Sequence, residues 1–205
     1  GFTAFTSSGF TLGDNGEGTQ SLELNKSGNT FVSWSWKAGG SASSNSDGSV
    51  SSSVSANATS GFSIVTWTGT GATATIGHGL GAAPKMIIIK SVTGASGWRV
   101  YHDGIGATKA LVLETTAAAD TATDYFNDTA PTSSVFTVKA NSTNDNTATM
   151  IAYCFAEKQG YSKFGSYTGN NNADGTFVHT GFKPAFVIIK TTTTTEDWGI
   201  LDNKR

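Results

Sequence analysis

One stretch of this chain is written twice. Trp67-Thr68-Gly69, Gly81, Pro84, Ile88-Ile89-Lys90 and Trp98 return 100 positions later, without a gap, as Tyr167-Thr168-Gly169, Gly181, Pro184, Ile188-Ile189-Lys190 and Trp198. A second match runs the other way. Ser7-Ser8 and Phe10-Thr11 answer Ser133-Ser134 and Phe136-Thr137, and Thr30-Phe31-Val32-Ser33-Trp34-Ser35-Trp36 answers Thr149-Met150-Ile151-Ala152-Tyr153-Cys154-Phe155. A period of this length limits the fold to units of about 100 residues set in tandem.

The chain then divides into a rear half of a repeat unit at 1–40, a Ser/Gly-rich insertion or linker at 41–60, a complete unit at 61–159 and a front half at 160–205. The two halves are able to pack together as a permuted second sandwich. The unit spacing is 119 at Trp34/Tyr153 and 100 at Pro84/Pro184, which makes the stretch between Trp36 and Trp67 19 residues longer than that between Phe155 and Tyr167. The first residue is Gly and the repeat is cut at both ends, so processing or a longer parent polypeptide is expected.

Composition selects the fold class. Charged residues are 14% and aromatics 11%, with five Trp; disordered chains show the reverse balance. Thr, Val, Ile and aromatics favour strands, while Gly, Asn, Asp and Ser favour turns. An all-β fold of tandem antiparallel β-sandwich-like units follows. The net charge is −2 and no basic stripe is visible, which argues against a nucleic-acid partner. No apolar run approaches bilayer length, so no membrane insertion is expected, and no signal-peptide pattern is seen. The lone Cys154 has no intrachain thiol to pair with and is expected to pack as a small hydrophobe.

In the complete unit, runs bounded by turn residues predict strands at Gly61–Trp67, Thr73–Gly77, Lys85–Lys90, Trp98–His102, Lys109–Glu114, Val135–Lys139 and Thr147–Phe155. Asp124–Asn127 is a candidate for a further short strand. The apolar run Lys85–Lys90 and its partner 185–190 suit a central strand covered on both faces. Pro84 and Pro184 stand at strand starts, where no ladder N–H is lost. Thr115–Thr123 lacks an apolar stripe and predicts one helical turn or a loop. The stretch 41–60 reads equally as linker or, from Ser49 to Ser55, as a polar strand turned by Asp47-Gly48.

Chemistry is thinly signalled. His78, His102 and His179 lack metal-ligand spacing, so no metal, cofactor or catalytic set is expected. Gly77-His78-Gly79-Leu80-Gly81 lacks the Lys-Ser/Thr ending of a phosphate loop. A glycosidase would require paired carboxyls. Asp103, Glu114, Asp120, Asp124 and Glu157 sit mostly beside turns, and Asp103 becomes Asn203 in the second copy. Aromatics are the stronger candidates. Trp34 and Trp36, at i and i+2, are replaced by Tyr153 and Phe155, a size-conserving exchange expected of a core. Trp98, Tyr101 and Trp198 are the candidate carbohydrate-stacking residues, with core packing as the competing role.

Several phrases together carry a resemblance. Trp34-Ser35-Trp36-Lys37-Ala38-Gly39-Gly40, Gly61-Phe62-Ser63-Ile64-Val65-Thr66, Gly77-His78-Gly79-Leu80, Ala152-Tyr153-Cys154-Phe155-Ala156-Glu157 and Gly160-Tyr161-Ser162-Lys163-Phe164-Gly165-Ser166-Tyr167-Thr168-Gly169 resemble a β-rich repeat domain of unknown function from marine tailed-phage virion proteins. Asp202-Asn203-Lys204-Arg205 resembles its Asp-x-x-Arg stretch, so the likeness runs from Phe10 to Arg205. The resemblance implies a place, in the virion and so extracellular, and no catalytic motif. The expectation is a non-enzymatic structural module of a fibre, appendage or decoration, with other virion proteins and copies of itself as partners. A glycan-binding receptor module, with host surface glycans as partners, is the alternative. A polysaccharide depolymerase is the second alternative.

Overall fold

The computed structural model describes residues 2–13, 24–31, 33–121 and 123–204. Val32 of the repeat match, Ala122 of the expected loop and Arg205 of the Asp-x-x-Arg match lie outside them. The backbone forms two compact units, Gly1–Trp36 and Lys37–Arg205.

In Gly1–Trp36 the described strands are β1 (Phe2–Phe5) and β2 (Phe10–Leu12), an antiparallel hairpin. Phe2 packs on Phe5 with ring centroids 4.7 Å apart. Trp34 and Trp36 are 42% and 44% exposed and lie outside any strand. The expectation that they form a core is therefore corrected within their own unit.

The second unit is all-β. In chain order it contains β3 (Ser43–Asn45), β4 (Ser52–Asn57), β5 (Phe62–Thr68), β6 (Ala74–Gly77), β7 (Met86–Ser91), β8 (Arg99–His102), β9 (Lys109–Val112) and β10 (Asp120–Thr121), then α1 (Thr123–Phe126), β11 (Val135–Val138), β12 (Thr149–Phe155), β13 (Phe186–Ile189) and β14 (Gly199–Asp202). Eight strands build one antiparallel sheet in the order β10-β9-β8-β7-β12-β5-β4-β3. β6 and β11 pair as a second, smaller layer.

Period-2 alternation decides what each strand buries. β12 turns Met150, Ala152 and Cys154 inward, all at 0% exposure, and leaves Ile151, Tyr153 and Phe155 half-buried outside. The inner residues of β4, β5, β7, β8 and β12 join Ala74, Ile76, Phe136, Val138 and Phe126 in one core. Trp67 meets Phe136 edge-on at 5.8 Å, and Tyr101 meets Phe126 at 5.5 Å. β7 is central, between β8 and β12, but it is not covered on both faces as expected. Ile87 and Ile89 are buried, whereas Met86, Ile88 and Lys90 are half-buried. The small β6–β11 layer covers one face only, which an antiparallel sheet tolerates.

Two other expectations change. The Ser-rich stretch holds β3 and β4, so its strand reading is the one found. Ser52 and Ser55 donate their hydroxyls to the carbonyls of Gly77 and Gly40, at 2.9 and 2.6 Å, which lets small polar residues be buried. A Cβ at Gly48 would run into the Thr75 carbonyl, and beside it Ser49 and Thr75 exchange N–H to hydroxyl bonds at 2.8 and 2.9 Å. Asp124–Asn127 is not a strand; Thr123–Phe126 is one helical turn that drives Phe126 into the core. Asn127 and Asp128, both at φ 50°, then end it in the left-handed region. Of the stretch expected as a helical turn or a loop, Thr115–Ala119 is a loop that leads into β10, and Thr123 opens α1.

β13 and β14 form a separate two-stranded sheet. Their pairs Phe186↔Asp202, Val187↔Leu201, Ile188↔Ile200 and Ile189↔Gly199 are the β7–β8 pairs Met86↔His102, Ile87↔Tyr101, Ile88↔Val100 and Ile89↔Arg99 displaced by 100 positions. The closing bond recurs too: Asp103 N–H donates to the Lys85 carbonyl at 2.8 Å, and Asn203 N–H to that of Ala185 at 3.1 Å. Left-handed backbone recurs at the same spacing, at Gly71 and Asn171 (φ 66° and 50°) and at Gly81 and Gly181 (φ 69° and 81°).

Candidate functional site

The outer face of the large sheet carries the candidate surface. Register places Ile64, Tyr153, Ile88, Val100 and Leu111 in one row across five strands. Val100 and Leu111 are buried; the other three are half-buried. A second row runs Thr66, Ile151 and Lys90, with the Lys90 ammonium donating to the Ser96 carbonyl. A third runs Phe62, Phe155, Met86 and His102, where Phe155 packs on Phe62 at 5.0 Å and on Phe164 at 6.4 Å.

Trp98 belongs to this surface. It is half-buried and stacks on Tyr153, with ring centroids 6.4 Å apart and planes 20° apart. Its N–H donates to Glu114 at 2.9 Å, and its carbonyl accepts from Leu113 N–H at 3.1 Å. Trp198 is also half-buried, and its indole N–H donates to the Val112 carbonyl at 3.2 Å. Trp98 is thus tied through its backbone, and Trp198 through its indole, to the end of β9 and the residues just after it.

Tyr101 does not join them, and its candidate carbohydrate role is corrected. Its side chain is 1% exposed, set on the core face beside Ile87. Trp98 and Tyr101 stand at i and i+3, so alternation sends them to opposite faces. Burial, reinforced by the Asp103 carboxylate, pushes the Tyr101 hydroxyl up to about 12. The partner that sequence reasoning missed is Tyr153. It reaches Trp98 only through the β7–β12 pairing, a long-range relation that no local spacing reveals.

The titratable groups have structural employment. His78 is fully buried; its Nδ1 accepts from Leu80 N–H at 3.2 Å and its Nε2 lies 3.2 Å from the Thr132 carbonyl. Burial lowers its pKa against the weaker opposing effects of that carbonyl and of Asp47. His102 caps the following 3-10 turn by accepting from Gly104 N–H at 3.0 Å. Burial lowers its pKa too, against the Asp103 charge. Burial also pushes the Cys154 thiol up to about 12. Among the described residues no group of three or more His, Cys, Asp or Glu is arranged to hold a metal ion.

Of the five candidate carboxylates, two come together. Asp103 and Glu157 line an open groove of about 750 Å³ with Lys85, Lys163, Phe164 and His179. Each is ion-paired, Asp103 to Lys85 at 2.9 Å and Glu157 to Lys163 at 2.6 Å. Asp124 pairs with Lys139 at 3.4 Å, Asp120 accepts from the Tyr125 hydroxyl at 3.3 Å, and Glu114 holds Trp98 N–H. These contacts tie strand ends and loops. The arrangement as a whole offers a broad, weakly polar sheet face rather than a cluster of reactive groups. Among the described residues, no helix is long and apolar enough to cross a membrane.

No curated protein and no solved structure matches the chain. A family model described as "Domain of unknown function (DUF7483)" matches residues 1–205, and the chain belongs to that family.

Proposed function

We propose that this chain is a non-enzymatic architectural module of a tailed-phage virion, a building element of a fibre, appendage or decoration. One observation carries the reading. The register of β7–β8 and its left-handed flanking positions recur 100 residues on, while several polar side chains around them do not, although Lys90 returns as Lys190. His78 becomes Val178, Lys85 becomes Ala185 and Asp103 becomes Asn203. What is repeated is a scaffold; a repeated active site would keep its reactive groups and let the scaffold drift. The resemblance of its phrases to virion repeats supports a place in the virion, and symmetric virion positions favour a multimer with copies of itself and other virion proteins. The test is labelling of purified phage particles with an antibody raised to this chain, alongside protein mass spectrometry of the same particles. Stoichiometric presence on the particle supports the reading. A chain found in infected cells but missing from particles removes it.

The Trp98–Tyr153 stack favours a second reading, a glycan-binding receptor module. A half-buried indole fixed at its backbone is a platform on which a sugar ring can stack, and Lys90 lies on the same sheet face. A glycan array probed with the chain and with Trp98→Ala tests it. Binding lost in the variant supports the reading; no binding above background by the unaltered chain ends it.

A further inference from the structure

At the end of β6 a histidine joins the two strands of the small layer. His78 follows Gly77, the last β6 residue paired with β11, and its N–H donates to the Ser134 carbonyl at 3.1 Å. The ring adds two more contacts. Nε2 lies 3.2 Å from the Thr132 carbonyl, which has no hydrogen to give, so the ring proton sits on Nε2 and Nδ1 is bare. Nδ1 then accepts from Leu80 N–H at 3.2 Å. One buried ring ties the exit of β6 both to the entry of β11 and to the turn that follows.

That turn carries a core residue between two glycines. Leu80 is 3% exposed and belongs to the main core. Gly79 and Gly81 flank it in the left-handed region, at φ 68° and 69°. Glycine enters and leaves that region at little cost, which makes the pair a hinge. A Cβ on Gly79 would come within 3.1 Å of the Val54 side chain and 3.3 Å of that of Ala56, whereas one on Gly81 would meet nothing within 4 Å. The turn is pressed onto β4 at the first glycine and has open space at the second.

We propose that His78 is an acid-sensitive latch on Leu80: a proton taken up at Nδ1 removes the acceptor of the Leu80 N–H, and the 79–81 turn swings out and draws the Leu80 side chain from the core. A protonated ring has donors only, so two N–H groups would face each other in the closed turn. A buried cation and an unpaired buried amide are both costly. Burial favours the neutral ring in the closed turn more than the Thr132 carbonyl and the Asp47 carboxylate favour the cation. Asp47, between β3 and β4, is the charged group that acts on the ring. β4, β6 and β11 carry no charged residue, nor do residues 79–84 and 129–134, and Asp128 is exposed. In the open turn the ring meets water and titrates near its ordinary 6.5. Opening is therefore rarest above that pH and grows as pH falls through it. The latch belongs to the first copy alone, since Val178 stands at the place of His78 and Thr180 at that of Leu80. It does not depend on the architectural reading.

Amide hydrogen exchange, read residue by residue by NMR and corrected for the intrinsic effect of pH, tests the latch. Between pH 7.5 and 5.5 ordinary carboxylates stay ionised, so histidine is what titrates. Protection of the Leu80 amide should fall about tenfold over that range, while Ala152 and Cys154 in β12 keep theirs. In His78→Asn the amide oxygen is able to accept from Leu80 N–H without titrating, and the fall should vanish. His102 is the other histidine whose charged form burial disfavours, and His102→Asn should leave the fall intact. Should His78→Asn fold poorly, the ring nitrogen shifts of the unaltered chain decide: Nδ1 should be bare at neutral pH and gain its proton as Leu80 exchange rises. Flat Leu80 protection overturns the proposal. So does an equal fall in β12, which would mean unfolding of the whole sheet. An unchanged fall in His78→Asn, its loss in His102→Asn, or a proton on Nδ1 at neutral pH overturns it too.

Discussion

The β7–β8 and β13–β14 hairpins share a register and differ in what surrounds them. Ile87 and Ile89 are at 0% exposure; Val187 and Ile189, 100 positions later, are at 36% and 37%. Register is set locally, by the turn and by the pairing of the two strands themselves. Burial is not local. It comes from β12 on the flank of β7 and from the β6–β11 layer beneath, whereas among the described strands β13 and β14 form a sheet of two. The comparison separates what a sequence repeat encodes by itself from what it obtains only when the remaining strands are supplied.

The largest effect expected from this contrast is in the core. Ile89→Ala removes a fully buried side chain and should cost about 2–5 kcal/mol. Ile189→Ala, at the matching position, should cost under about 1 kcal/mol, because much of its side chain already meets water. Urea unfolding of dilute protein measures both. Equal losses would break the comparison and place β13–β14 inside a second, hidden core.

Asn144 sharpens it. Its side chain accepts from the Trp67 indole at 2.9 Å and from Thr70 N–H at 3.2 Å, and donates to the Thr70 hydroxyl and the Ala72 carbonyl, both at 2.7 Å. Asn144→Ala leaves buried donors without partners, at a cost of roughly 3 kcal/mol. Asn25, its exposed counterpart, should tolerate Ala within about 0.5 kcal/mol in dilute solution. A comparable loss at Asn25, read by the same unfolding curves, would mean that its side chain already holds a partner in the isolated chain.

Alkaline pH separates the regions by chemistry. Tyr101 and Cys154 titrate near 12 in the folded chain, raised from 10.0 and 9.0. Each is an acid whose neutral form the fold prefers. The stability it contributes is intact below its unfolded value and is lost as pH rises from 9 for Cys154, and from 10 for Tyr101, towards 12. Their counterparts, Ser35 and Leu201, do not titrate there. Between pH 8 and 11, Tyr101→Phe should therefore lose about 1 kcal/mol less stability than the unaltered chain. Identical pH profiles would show that Tyr101 ionises as easily folded as unfolded.

Much of this contrast was legible in the residues. β5, β6, β7, β9, β11 and β12 begin and end within about two residues of their apolar runs, because period-2 burial writes itself into each strand. β3 and β4 were only half legible. The inward serines of β4 are satisfied by carbonyls of Gly40 and Gly77, which lie far off in sequence. Of the three candidate stacking residues, Tyr101 could have been removed by parity alone, since i and i+3 cannot share a strand face. Tyr153 could not have been found, because its meeting with Trp98 depends on which strand lies beside β7.

The smallest expected effect lies at the hairpin mouths. The backbone bond that closes β7–β8 recurs in β13–β14, but the Lys85–Asp103 ion pair, at 2.9 Å with side chains 36% and 46% exposed, has no counterpart at positions 185 and 203. At position 185 stands Ala and at 203 Asn, and the hairpin forms in the same register without them. The ion pair is therefore an addition to the turn, not its cause. An exposed pair of this kind is worth about 0–1 kcal/mol and weakens further with salt. Lys85→Ala should lower stability by no more than that, with the difference shrinking towards zero in molar salt. The β7–β8 amides should keep their slow hydrogen exchange, because the ladder to β12 and not the ion pair protects them. A selective rise in β7 exchange in that variant would assign the register to the charge pair and undo the inference that both hairpins are specified by the same backbone pattern.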